Sequence, residues 1–320
     1  MDTKSIASEL QSLSHSLGKQ IIGQQHVVES MLIGLIANGH ILLEGLPGTA
    51  KTRSVRSLAE SLSVDLNRIQ FTPDLMPSDV VGYETLSSNN QMTFNSGPVF
   101  TNILLADEIN RAPPKVQSAL LEAMEERQVT INGTSHPLPD IFLVLATQNP
   151  VEQEGTYPLP EAQLDRFLMK VVVDYPTPEN ELKILQLVKG EENQTTAPSK
   201  VSPELIYSAR YQLTSIRTSE SIEHYIVDLI NATRDLMLFP DSSLSKWIDI
   251  GISPRGSIAL DKAARVKALL EGRDYVEPDD VLSVIDSVLG HRLILTYDAI
   301  ADGITSKEVI KEITQWVSLR

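Results

Sequence analysis

Gly45-Leu46-Pro47-Gly48-Thr49-Ala50-Lys51-Thr52, entered directly from the apolar run Ile41-Leu42-Leu43, decides how this chain is read. A buried strand that runs into a glycine-containing loop and then a helix builds a cradle for phosphate. Backbone N–H groups of the loop and of the helix N-terminus point at the anion, the Lys51 ammonium reaches the β and γ oxygens, and the Thr52 hydroxyl ligates Mg²⁺. The general pattern has Gly immediately before the Lys, where this chain has Ala50. Strand, loop, Lys-Thr pair and helix are otherwise in place, and the expectation is a nucleotide-binding protein.

A second motif supplies the other half of such a site. Ile103-Leu104-Leu105-Ala106-Asp107-Glu108 is an apolar strand ending in two adjacent carboxylates. Asp107 is expected to hold Mg²⁺ through water, and Glu108 to polarise the water that attacks the γ-phosphate. Alone, an apolar run capped by two acids is a strand meeting solvent; paired with the loop it is specific. A third run, Ile141 to Thr147, ends in Gln148-Asn149. The Asn149 amide could reach the same water or the γ-phosphate. Without the two earlier motifs it would read as a turn residue before Pro150.

Composition sets outer bounds. A chain of 320 residues suggests about two domains, and 42% apolar residues can form a sizeable core with only 5% aromatics. There is no cysteine, hence no disulfide framework, thiolate metal site or cysteine nucleophile, and the six histidines show no paired ligand spacing. The polar first 19 residues and the lack of a long apolar run argue against a membrane span, so a cytoplasmic location is expected. The net charge of −15 opposes general affinity for a phosphate backbone, and nucleic acid is not expected as a partner.

Strand-like runs near 41–44, 65–71, 102–106, 141–147 and 170–174 alternate with helix-like stretches, the pattern of a parallel α/β sheet. After Pro176 and Pro178 helical periodicity takes over, near 179–189, 203–214, 221–237, 257–271 and 278–290, with residues 190–202 as a polar loop. The expected organisation is an α/β nucleotide-binding core over 1–176 and a smaller all-helical lid domain over 177–320. Two hairpins interrupt the core, at about 83–100 and 128–138. In the second, Asn132-Gly133 between β-prone residues favours a type I′ turn.

These motifs together resemble the AAA+ ATPases, and within them the MoxR family, along nearly the whole chain. Gly45 to Thr52 matches that family's Gly-x-Pro-Gly-x-Ala-Lys-Thr form, so Ala50 favours the narrower assignment. Asp107-Glu108-Ile109-Asn110-Arg111-Ala112-Pro113-Pro114-Lys115 and Ala146-Thr147-Gln148-Asn149-Pro150 also resemble its motifs. The resemblance implies an AAA+ P-loop core with a helical lid, and ATP and Mg²⁺ as cofactors. It further implies hydrolysis to ADP and phosphate in a ring homo-oligomer, expected as a hexamer, that remodels or matures client proteins.

The resemblance also assigns roles residue by residue. Arg166, in Leu164-Asp165-Arg166-Phe167, is similar to the arginine that reaches a neighbouring subunit's γ-phosphate; the alternative is an ion pair with Asp165 or another acid of its own chain. Arg255, in Ile252-Ser253-Pro254-Arg255-Gly256, resembles sensor 2, acting in cis or across the interface. Arg111 serves the interface, the next site or solvent. Ile21-Ile22-Gly23-Gln24 resembles the segment that packs on adenine, with Ile22 and Gly23 as contacts, and core packing is an equal explanation. The hairpins face a ring's pore in relatives and are otherwise plain surface hairpins. Asp241-Ser242-Ser243-Leu244-Ser245 fits the metal-adhesion pattern of von Willebrand A domains but falls between helices, where a polar loop is expected; a separate von Willebrand A protein is a more natural partner. Two other classes stay open: a magnesium-chelatase-like or MCM-like motor subunit, and a nucleotide-gated scaffold with little turnover.

Overall fold

The computed structural model describes residues 2–45, 51–86, 91–150, 155–191 and 200–319. Its strands, in chain order, are β1 (Ile41–Gly45), β2 (Leu66–Gln70), β3 (Gly82–Leu86), β4 (Met92–Ser96), β5 (Ile103–Asp107), β6 (Gln128–Ile131), β7 (Thr134–Pro137), β8 (Leu143–Gln148), β9 (Met169–Val173), β10 (Ile248–Ile250) and β11 (Ile294–Leu295). The chain forms two compact units. One comprises residues 12–166 and 171–204, the other residues 1–11, 167–170 and 205–320.

The first unit is built on a five-stranded sheet of order β2-β5-β8-β1-β9. β2 with β5, β5 with β8 and β8 with β1 all pair in parallel. The three inner strands carry the sequence logic of a sheet covered on both faces: Ile41, Leu42, Leu43, Ile103, Leu104, Ala106, Leu143, Val144 and Leu145 are essentially inaccessible. Gln25–Ile36 packs against β1 and Lys51–Leu62 against β5. The former is buried on almost every side, from Val27 and Val28 through Met31, Leu32 and Ile33 to Ile36, as expected of a helix that is apolar all round. His40, 4% exposed, ties the amino ends together. Its Nδ1 accepts from the Val144 N–H at 3.0 Å and its Nε2 lies 3.1 Å from the Met124 carbonyl, which fixes the Nε2–H tautomer.

Both hairpins form. β3 and β4 pair antiparallel, as do β6 and β7, and the central residues of the second turn, Asn132 (φ 49°) and Gly133 (φ 82°), have the two left-handed conformations of a type I′ turn. The hairpins also touch each other. The Phe94 and His136 rings stack at 3.9 Å and the Asn132 amide donates to Glu84 at 2.8 Å.

The second unit is mainly helical. Pro254–Leu270 packs on Pro278–Leu289 and on Glu220–Asn231. The periodicity expected to continue to 237 stops at Asn231, because the Thr233 hydroxyl turns back to the Ile230 carbonyl and accepts the Ile252 N–H. Helices Tyr297–Ala301 and Ser306–Trp316 and the short antiparallel pair β10–β11 complete the unit. Gln212 donates to Thr3 and Gln11 to the Leu270 carbonyl, which binds the first residues of the chain here. Asp280, 2% exposed, receives both arms of the Arg273 guanidinium at 2.6–2.7 Å. No helix among the described residues is long and apolar enough to cross a membrane.

Arg292 is buried and donates to the carbonyls of Val288, Leu168 and Phe167, while His291 Nε2 lies 3.2 Å from the Phe167 carbonyl. Burial first, and then the Arg292 charge, hold the His291 pKa well below its usual 6.5. The unfolded chain therefore binds the extra proton as pH falls below 6.5 and the folded chain does not. Stability is complete above that value and declines below it, by up to about 1.4 kcal/mol per pH unit. Thermal unfolding between pH 7 and 5 is expected to be steeper in the wild type than in His291→Gln; equal slopes would show that His291 is not the titrating group.

A contrast between two glycines checks the first hairpin. Gly82 (φ 97°, ψ −178°) occupies a region open essentially only to glycine, and a Cβ there would lie 2.3 Å from the Asn95 carbonyl oxygen. Gly133 has open space around it. Gly82→Ala is expected to cost about 2 kcal/mol or more in denaturant unfolding and Gly133→Ala about 1 kcal/mol.

Candidate functional site

Parallel strands end together, so β1, β2, β5 and β8 deliver their carboxyl ends to one edge of the sheet. The register sets Gln70 opposite Asp107, and Leu43 opposite Thr147. Ala106 opposite Ala146 puts Asp107 beside Thr147. Gln70, Asp107, Thr147 and Leu43 thus form one row, and alternation along each strand sends their side chains to the same face.

Thr147, 1% exposed, organises the two acids. Its hydroxyl donates to Asp107 Oδ1 at 2.6 Å and accepts the Glu108 N–H at 2.9 Å. Glu108 sits in the left-handed region at φ 57°, ψ 50°, a strained conformation for a residue with a side chain. The turn on its carboxyl side holds it there: Gln117, 1% exposed, donates to the carbonyls of Ile109 and Tyr157, and the Tyr157 N–H returns to the Asn110 carbonyl.

Three groups that the sequence did not single out complete the arrangement. Arg68 on β2 reaches Asp107 Oδ2 with Nη2 at 2.7 Å and Nε at 3.2 Å. Gln70 donates to Glu108 Oε2 at 2.7 Å, and Thr147 is the third. The only advance sign was the alternation of Arg68 and Gln70 on a strand with a single apolar core position, Ile69. Arg111 adds an ion pair to Glu108 at 3.2 Å.

The other expected residues lie on several elements. Gly45 closes β1 and Lys51 and Thr52 open the helix Lys51–Leu62, with Thr52 half-buried; Leu46, Pro47, Gly48, Thr49 and Ala50 lie outside the described residues. Asn149 comes directly after β8 and is 4% exposed. Ile22 is half-buried and Gly23 exposed in the turn before Gln25–Ile36. Arg166 pairs with Glu125 of its own chain at 3.1 Å, in a cavity of about 520 Å³ that Glu122 and Glu126 also line. Arg255 opens Pro254–Leu270 in the second unit, its N–H donating to Ser253 Oγ at 3.2 Å.

The Asp107 carboxylate and Thr52 hydroxyl are hard oxygen donors, which suit Mg²⁺. No group of three or more His, Cys, Asp or Glu side chains among the described residues could hold a metal by itself. Such a donor set fits an ion that arrives with phosphate oxygens.

Thr147→Val keeps the shape but strands the Glu108 N–H and one Asp107 oxygen. Denaturant unfolding without nucleotide is expected to show a loss of about 1–3 kcal/mol, and Thr147→Ser, which keeps the hydroxyl, less than about 1 kcal/mol. Equal losses would mean that packing of the methyl, not the hydroxyl, is what counts.

Comparison with known proteins agrees with this geometry. Residues 40–169 match the ATPase family associated with various cellular activities, and residues 244–313 the AAA lid domain. The chain is 45% identical to Chaperone MoxR1 of Mycobacterium tuberculosis, over 98% of this chain and 84% of that one. It is 31% identical to Protein MoxR of Methylorubrum extorquens, over 87% and 85%. A crystal structure from Cytophaga hutchinsonii superposes with a TM-score of 0.92 at 43% identity, covering 99% of this chain and 97% of that one. A parallel sheet ending in an ordered acid pair, a helical second unit and this likeness along the full length carry one conclusion: the chain belongs to the MoxR family of AAA+ ATPases.

Proposed function

We propose that this chain hydrolyses ATP to ADP and phosphate in a ring of identical subunits, expected as a hexamer, and uses the cycle to remodel or mature client proteins. The observation that supports hydrolysis best is the pair Asp107 and Glu108, both fixed by Thr147 at the carboxyl edge of the sheet. Lys51 and the loop before it would bind the phosphates, with Ile22 and Gly23 against the adenine. Thr52 and Asp107 would hold Mg²⁺, which when bound neutralises charge on the phosphate oxygens. Glu108 would orient the attacking water and take its proton, and Asn149 would hold the same water or the γ-phosphate.

Arg166 would act on a neighbouring subunit's nucleotide. Its pair with Glu125 is partly exposed, at 32% and 35%, and pairs of that kind contribute about 0.2–1 kcal/mol, little enough to exchange for a phosphate in an assembled ring. Arg255 would link the helical unit to nucleotide state. The client, and a von Willebrand A protein as partner, are proposed from the family alone.

A second reading has one observation in its favour. Glu108 is engaged by Gln70 and Arg111, an arrangement that would also suit a nucleotide-gated scaffold with little turnover. ATPase rate per subunit, measured against protein concentration with oligomer size recorded, separates the two. The expected result is a rate that rises with assembly, falls roughly 10³-fold in a still-assembled Arg166→Ala, and is lost in Glu108→Gln while ATP binding persists. Tight binding without turnover in the wild type would favour the scaffold, and a rate independent of Arg166 would sink the shared site.

A further inference from the structure

Resting on the reading of Asp107 as a metal-holding group, we propose that Arg68 is a built-in competitor for the divalent cation. Its guanidinium engages Asp107 and must leave before the metal and its nucleotide are held there.

Both oxygens of Asp107 are engaged. Oδ1 accepts the Thr147 hydroxyl at 2.6 Å, and Oδ2 takes two N–H groups from Arg68, at 2.7 and 3.2 Å. Thr147 is a buried neutral donor that stays with the acid pair. Arg68 is a cation and 51% of its side chain is exposed, so it is the partner able to move into solvent. Its position is nonetheless prepared: Nη2 also donates to Gln70 Oε1 at 2.8 Å, which orients the fork toward Oδ2. Arg68 and Gln70 are two residues apart on β2 and share the face on which Asp107 stands.

The physical need for such a cation is plain. Asp107 and Glu108 are adjacent carboxylates at the end of a buried strand, and like charges so placed repel unless neutralised. With phosphates and metal present, the metal supplies the positive charge. Without them Arg68 supplies it. The two Arg68 N–H groups take up the acceptor capacity of Oδ2 that a divalent cation or its water would use, and the two positive charges repel, so each binds at the other's expense.

Equilibrium binding of a fluorescent ATP analogue, titrated with Mg²⁺ at fixed ionic strength, tests this without relying on turnover. Arg68→Ala is expected to lower the half-saturating Mg²⁺ concentration about three- to tenfold relative to wild type, with a smaller gap at high salt. Arg68→Lys, which keeps the charge but not the fork, is expected between the two. An unchanged requirement in Arg68→Ala, or a higher one, overturns the proposal, the latter by making Arg68 a helper. Arg68→Lys identical to wild type overturns the role of the forked contact and leaves only a field effect. Failure of every form to bind the analogue at any Mg²⁺ concentration would overturn the nucleotide reading itself, and this inference with it.

Discussion

Everything at the candidate site depends on the double-sided burial of β1, β5 and β8. A strand covered on both faces can carry almost no polar side chain along its length, since each would need a buried partner. Ile103 to Ala106 and Leu143 to Ala146 obey this without exception. Polar chemistry is therefore pushed to the strand ends, and because the strands are parallel those ends coincide. Asp107 and Thr147 are the first polar residues each strand can accommodate, and they meet at 2.6 Å.

Concentrating carboxylates there creates an electrostatic problem that net composition does nothing to solve, since the chain carries a formal charge of −15. The solution is local and comes largely from the edge strand. β2 is only partly covered, so Arg68 and Gln70 can stand in solvent and still reach the central acids. Arg111, one turn beyond Glu108, supplies the second cation. The acid pair is thus stabilised by groups at the margin of the sheet, not by its core.

How much of this the sequence carried depends on the range of the interaction. The inner strands at 41–45, 103–107 and 143–148 were readable because burial on both faces writes a nearly uninterrupted apolar run. The Asn132-Gly133 turn was readable because only a few residues accept two successive positive φ values. Arg68 and Gln70 were not, because their roles exist only once register sets β2 beside β5, and register is a property of two strands. For the same reason nothing in residues 1–11 announced their place with the helical unit, which rests on contacts such as Gln212 to Thr3. The helix Ser306–Trp316 is a different case: it lies within the expected helical domain, past the last stretch named at 278–290, and Thr305 and Glu308 form a capping box that local sequence does spell out.

The left-handed backbone at Glu108 resolves a geometric difficulty in turning two adjacent acids toward one side of the sheet. In an extended strand, neighbouring side chains point to opposite faces, so a Glu108 that continued β5 would be turned away from Asp107. Arg68 and Gln70 leave one face of β2, and the first reaches Asp107 while the second reaches Glu108. Both carboxylates therefore lie on the same side, which requires the chain to leave the strand conformation between them. The φ of 57° at Glu108 is that departure. A glycine would adopt it without strain but would bring no carboxylate. The cost of order 1–3 kcal/mol for a side chain in this region is offset by the Thr147 hydroxyl on its N–H and by the turn that Gln117 locks behind it. Strain at this one residue is thus what converts two successive letters of the sequence into a convergent pair of acids.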